Sequence, residues 1–175
     1  MAETAHRGRE PPRRPVRSRR QDAAVLVGFL AACYGAAALG NAFSGGLRGG
    51  WYDALRKPAF HPPGWLFGPV WTVLYACMGI AAWLVWRRRG LRRAALPLLL
   101  FAAQLALNAA WTPLFFGLRS PALAFADIAA LWVMIVLTTA WFFPISRPAG
   151  WLMAPYLAWT TFAAVLNLAL WRLNG

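Results

Sequence analysis

Five apolar stretches dominate the chain, running approximately Ala23–Phe43, Trp65–Trp86, Ala94–Phe116, Ala122–Phe143 and Ala149–Trp171. Each holds about 20 residues or more, and at about 1.5 Å per residue that length crosses a hydrocarbon layer of about 30 Å. Backbone in lipid must satisfy its own amides and carbonyls, so such runs are expected to be helices. They do not show the alternating, roughly ten-residue segments of a membrane barrel. The sequence therefore predicts an all-α membrane protein, a bundle of five transmembrane helices with a structured loop between the first and second.

Charge is segregated around these spans. The chain carries 18 Lys and Arg against 5 Asp and Glu, a net +13, yet only 13% of its residues are charged. That share is about half of what a soluble domain carries. Seven arginines fall within residues 7–20 and five within 87–93. Basic clusters abutting apolar spans fit membrane lipid headgroups and topology rather than nucleic acid, which is not expected as a partner. Residues 1–22 are rich in Arg and Pro, cannot bury a core and are expected to form a disordered tail, leaving 23–175 as the transmembrane domain. The first apolar run exceeds the 7–15 residues of a signal-peptide core and is expected to remain as a span. With the N-terminus in the cytoplasm, that side collects thirteen basic residues and the other side five: Arg48, Arg56, Lys57, Arg119 and Arg172. In an inner membrane the positive-inside rule then predicts N-in, C-out.

Cys33 and Cys77 each lie inside a span without a C-x-x-C or a nearby histidine pattern, so no metal site is predicted. Small residues repeat every fourth position at Gly28, Ala32, Ala36 and Gly40 in the first span, and at Ala102, Ala106 and Ala110 in the third. Such stripes let helix backbones approach closely, either within one bundle or at a homodimer seam. The third span is the candidate seam.

The loop after the first span reads "WYDALRKPAFHPPGW" from Trp51 to Trp65. Its prolines hold "KPAFHPPG" extended and stiff, while "WYDAL" can form one helical turn. Alternation of five spans places the start of the second, the end of the third, the start of the fourth and the end of the fifth on the face of this loop. Polar and aromatic residues collect there. Trp71 and Tyr75 lie one turn apart; Gln104, Asn108 and Trp111 share one helix face; Trp159 and Asn167 occupy the fifth span. Buried amides in lipid should face the bundle interior. Each amide alone is equally explained by bonding to a neighbouring helix; together with the aromatics they favour a cavity for a flat, mostly apolar ligand. The loop is then a lid, with Tyr52 and Pro62 as its expected ligand contacts.

Asp127 is the one acid well inside a span, about 8 Å into the fourth, where capping the helix start or meeting loop cations is the favoured role. Of the eleven tryptophans, Trp51, Trp65, Trp86, Trp141, Trp151 and Trp171 sit at span ends, as an interfacial belt requires. Trp132 is deeper and lacks polar companions at helical spacing, so core or lipid contact is expected. Pro69, Pro113 and Pro155 each remove an amide donor; Pro69 is early enough to occupy a first turn.

"WYDALRKPAFHPPGWLFGPVWTVLY", "QLALNAAWTPLFFG", the acid of "ALAFADIAALW" and "PYLAWTTFAAVLN" occur in this order, and over residues 25–173 the chain closely resembles the TspO/MBR family. These are the bacterial tryptophan-rich sensory proteins and the animal translocator proteins, once called peripheral benzodiazepine receptors. The resemblance implies a five-helix fold, a frequent homodimer, and a pocket under the first loop for porphyrins, sterols or synthetic ligands. It places that pocket on Tyr52, Pro62, Tyr75, Gln104, Asn108 and Trp111. It also carries the tryptophans of a light-dependent protoporphyrin degradation, described for some bacterial members, onto Trp71 and Trp159. One departure weakens the sterol reading: in "VLNLALWR" Leu168 stands where the animal sterol motif has Tyr.

The leading expectation is a membrane tetrapyrrole sensor or carrier, with protoporphyrin IX or haem as ligand and no required cofactor. Ligand propionates would be drawn to Arg48, Arg56 or Lys57 at the loop mouth. Light-dependent porphyrin degradation is one alternative, and a structural protein whose oligomeric state responds to ligand is another. Acid–base or nucleophilic catalysis has no Ser/Cys–His pattern to rest on, and His61 between prolines reads as a loop hydrogen-bonder.

Overall fold

The computed structural model describes residues 18–44 and 50–175. Six α-helices follow in order: α1 (Arg19–Ser44), the short α2 (Trp51–Ala54), α3 (Phe67–Arg93), α4 (Ala95–Thr112), α5 (Pro121–Phe142) and α6 (Arg147–Asn174). Five of them, all but α2, are long and apolar enough to cross a membrane. Their outward faces carry large exposed side chains such as Val27, Val73, Leu99, Val133 and Val165. Water would make this an aggregation surface, whereas lipid matches it.

Helix α1 begins earlier than its apolar run. Ser18 and Gln21 form a reciprocal cap, the Gln21 amide donating to Ser18 Oγ at 3.2 Å and the Ser18 amide to Gln21 Oε1 at 3.3 Å. This capping box satisfies first-turn donors. It draws Arg19–Asp22, read from composition as part of the tail, into the helix; residues 1–17 lie outside the described residues.

The hairpin between α3 and α4 turns at Gly90, whose φ of 72° and ψ of 168° interrupt the helix. A side chain would be strained there, so glycine ends one span and starts the next within a few residues. At the other end Pro113 begins a π-helical turn, Pro113–Gly117, in which the Leu118 amide reaches back five residues to the Pro113 carbonyl at 2.9 Å. A proline without an amide disrupts the four-residue ladder, and the wider turn absorbs the defect. Pro69 does lie in the first turn of α3, whereas Pro155 sits inside α6.

The packing forms a closed ring: α1 against α3, α3 against α6, α6 against α5, α5 against α4, and α4 back against α1. At the α1–α3 seam a Cβ on Gly79 would stand 2.8 Å from a Leu30 methyl and 3.2 Å from Leu30 Cα, so the contact depends on glycine. Of the first-span stripe, Ala36 and Gly40 face inward while Gly28 and Ala32 are exposed. Ala102 and Ala106 of the third-span stripe face outward, with Ala110 half-buried.

Candidate ligand-binding site

The ring encloses a cavity of about 950 Å³ at the end where α3 and α5 begin and α4 and α6 finish. Trp71 and Tyr75 enter from α3, Asn108 and Trp111 from α4, Ile128 and Leu131 from α5, and Trp159, Thr160 and Asn167 from α6. The Trp71 and Tyr75 rings lie 5.4 Å apart and tilted by 31°, so two aromatic faces stand side by side along one wall.

A buried hydrogen-bond chain ties this wall to the opposite helices. The Tyr75 hydroxyl donates to Asn108 Oδ1 at 2.6 Å, and Asn108 Nδ2 donates to the Tyr156 hydroxyl at 3.0 Å. A second chain joins three helices: Trp111 Nε1 donates to Asn167 Oδ1 at 3.0 Å, and Asn167 Nδ2 donates to the Pro121 carbonyl at 2.8 Å. In an apolar surround such bonds are costly to leave unmade, so they fix helix register around the cavity. The indole nitrogen of Trp159 and the hydroxyl of Thr160 are buried without a hydrogen-bond partner. The Thr138, Thr139 and Thr161 hydroxyls instead return to carbonyls four residues back.

The segment from Gly50 to Leu66 covers part of the cavity mouth, bringing Tyr52, Asp53, His61, Gly64 and Trp65 to its rim. Tyr52 packs against Phe116 with ring centres 5.4 Å apart and against Phe115 at 6.1 Å, and its hydroxyl lies 2.7 Å from His61 Nε2. Lys57 stands 4.8 Å from the Tyr52 ring centre and 3.8 Å from Asp53. Burial, and then the nearby Lys57 charge, hold the His61 imidazole below its ordinary value of 6.5. The far side of the lid is clamped to the end of α6: the Arg56 amide donates to Asn174 Oδ1 at 2.8 Å, and Asn174 Nδ2 donates back to the Arg56 carbonyl at 3.0 Å. Phe60 of the lid meets Phe162 of α6 edge-on at 6.4 Å.

The sequence pattern of the TspO/MBR family spans residues 29–172. The chain is 42% identical over 150 residues to the translocator protein of Ovis aries, covering 85% of this chain and 89% of that protein. The chain belongs to the TspO/MBR family. It is also 41% identical over 153 residues to the tryptophan-rich sensory protein of Cereibacter sphaeroides, covering 87% and 93% of the two chains. With protein CrtK of Rhodobacter capsulatus it shares 39% identity over 150 residues, covering 83% and 90%. TspO/MBR membership and the five spans make it an integral, multi-pass membrane protein, and the kinship supports a membrane sensor or carrier role.

Within this TspO/MBR fold, Tyr52, Trp71, Tyr75, Asn108, Trp111 and Trp159 all line the one cavity. Gln104 and Pro62 do not. Gln104 is fully buried one turn below Asn108, with Nε2 at 3.9 Å from Met78 Sδ and Oε1 without a partner. Pro62 lies between His61 and Gly64, which do reach the cavity, and is half-buried in the lid. Of the cations expected at the loop mouth, Arg48 lies outside the described residues.

Asp127 departs from its expected role. Ser120 caps α5, its Oγ accepting from the Leu123 amide at 3.3 Å. The ion pairs found among the described residues are Lys57–Asp53 and Arg87–Asp22, and one Asp127 carboxylate oxygen is buried without a hydrogen-bond partner. The earlier serine wins the cap because it stands immediately outside the first turn, whereas Asp127 lies nearly two turns inside. Trp132 also gains a partner that spacing along its own helix could not reveal, donating from Nε1 to Thr161 Oγ1 on α6 at 2.8 Å. Phe115, Phe116, His61 and Thr160 line the cavity without having been singled out as its walls. Pro113 was the available signal for the two phenylalanines, since the π-helical turn it starts carries both.

Proposed function

We propose that the chain is a membrane receptor or carrier for a planar, largely apolar tetrapyrrole such as protoporphyrin IX, held in the lidded cavity. The observation that carries the reading is the cavity itself: about 950 Å³, walled by Trp71, Tyr75 and Trp159 and partly covered by the loop. Its volume lies at the upper end of the roughly 300–1,000 Å³ of small-molecule sites, and aromatic faces suit stacking on a macrocycle. Lys57 and the exposed Arg56 supply positive charge at the lid for ligand carboxylates. Titrating protoporphyrin IX against tryptophan fluorescence tests this: saturable quenching is expected, reduced in Trp71→Phe/Trp159→Phe. Absent saturation, or quenching indifferent to that double substitution, contradicts it.

A second reading, light-dependent porphyrin breakdown, is favoured by the placement of both Trp71 and Trp159 on the cavity wall. Bleaching no faster with protein than with detergent alone rejects it. Orientation with the N-terminus in the cytoplasm follows from the distribution of basic residues, and cysteine labelling from either side checks it. The outward-facing Ala102 and Ala106 support a homodimer seam on α4. Ala106→Trp is then expected to shift a dimer to monomer in light scattering; an unchanged mass argues against that seam.

A further inference from the structure

A second recess, of about 360 Å³, opens at the opposite end of the bundle, where α3 turns into α4 and α5 into α6. Five arginines crowd this turn, and the structure divides them into two groups. Arg87 pairs with Asp22 at 3.4 Å and covers the Trp83 ring at 5.0 Å, while Arg88 donates to the Ile145 carbonyl at 3.0 Å. Both thus join helices of the bundle. Arg89, Arg92 and Arg93 instead line the recess from the two sides of Gly90, whose positive φ brings them together. None of the carboxylates among the described residues lies within ion-pair distance of these three.

The rest of the wall is apolar, built from Leu96, Pro97, Trp141 and Pro144. Trp141 is 46% exposed and Leu96 49% exposed, and Leu99, one turn deeper along α4, is 66% exposed. Charge therefore sits at the end of the spans, and a continuous apolar strip runs from it toward the middle of the membrane. Behind the arginines, α4 starts at Ala95, and the preceding Ala94 offers its first-turn amides no side-chain acceptor. Unused guanidiniums bind phosphate oxygens well, and an uncapped helix start adds to the favourable field. Exposed tryptophan and leucine beside them suit an acyl chain rather than water.

We infer that this recess is a binding site for one anionic phospholipid, its phosphate held by Arg89, Arg92 and Arg93 and one acyl chain lying along Leu96, Leu99 and Trp141. The chemistry recognised is a phosphate diester, and the apolar strip selects a lipid over a soluble phosphate. The site is separate from the lidded cavity and does not depend on its ligand.

Native mass spectrometry of the detergent-solubilised full chain tests the inference. Phosphatidylglycerol is expected to bind at one site at least tenfold more tightly than phosphatidylcholine of the same acyl composition. Arg89→Gln/Arg92→Gln/Arg93→Gln should bring the two lipids level. Arg119→Gln/Arg172→Gln, which removes charge at the opposite end of the bundle, should keep the difference. Should the triple fail to fold, single Arg92→Gln and Arg93→Gln variants are each expected to weaken phosphatidylglycerol binding severalfold and leave phosphatidylcholine unchanged. Equal affinity for the two lipids in the native chain overturns the inference, as does full retention of selectivity in the triple or in both single variants, or equal loss in the control. Millimolar inorganic phosphate should not displace the lipid; displacement would make this a soluble-anion site instead.

Discussion

At the scale of single residues, the cavity depends on polar groups that meet only across helices. Asn108 is the hinge of this arrangement, accepting from Tyr75 and donating to Tyr156. Tyr75→Phe leaves one buried amide oxygen short of a donor and is expected to cost about 1–2 kcal/mol. Asn108→Ala strands two tyrosine hydroxyls and should cost roughly twice as much. Thermal unfolding in lipid nanodiscs ranks the two, and an Asn108→Ala variant as stable as Tyr75→Phe would contradict the relay. His61 gives a pH-dependent counterpart in the lid. Burial and Lys57 lower its affinity for a proton in the closed state, so the open lid binds more protons through the window below 6.5. The closed state therefore keeps its full stability above the ordinary imidazole value and loses it as pH falls through the lowered one. A His61 titration followed by NMR should have its midpoint below 6.5, with ligand affinity declining over the same acidic range. A midpoint at or above that value would be inconsistent with the packing of Tyr52, His61 and Lys57.

At the scale of elements, the lid is stiff and clamped to the end of α6. The prolines from Pro58 to Pro63 restrict the free chain, so closing it over the cavity loses little entropy. Its outer side hangs on Asn174, one turn beyond Leu170 in α6 and bonded to both backbone groups of Arg56. Asn174→Ala removes these bonds without touching the cavity wall. Ligand dissociation should accelerate roughly two- to tenfold, as expected for the loss of about 0.5–1.5 kcal/mol. Association should change less, and stopped-flow fluorescence separates the two rates. An unaltered dissociation rate would mean that the clamp does not hold the lid shut. The π-helical turn at Pro113–Gly117 serves the same closure from beneath, because it carries Phe115 and Phe116 to the Tyr52 ring.

At the scale of the whole molecule, apolar side chains cover the outside, and an apolar core also holds the few buried polar groups, Gln104, Asn108, Thr160 and Asn167 among them. That much was legible in the sequence, since span length and the position of amides follow from the cost of polar groups in lipid. Alternation of spans also placed the loop, Trp71, Tyr75 and Trp159 at one end. The ring order was not legible, because hydropathy marks which segments cross but carries no information about which pairs pack. For the same reason Tyr156 escaped notice: its partner Asn108 is 48 positions away, and an isolated tyrosine in an apolar run looks like core. The surroundings of Asp127 were not legible either, because depth along a helix does not reveal whether an earlier residue, here Ser120, already supplies the cap. The proposed function requires a planar ligand inside this ring, beneath the lid. A structure of the protein solved with bound protoporphyrin IX tests it most directly. The macrocycle is expected between Trp71 and Trp159, with Tyr52 and His61 over it. A macrocycle lying on the outer, lipid-facing surface with the cavity empty would contradict it.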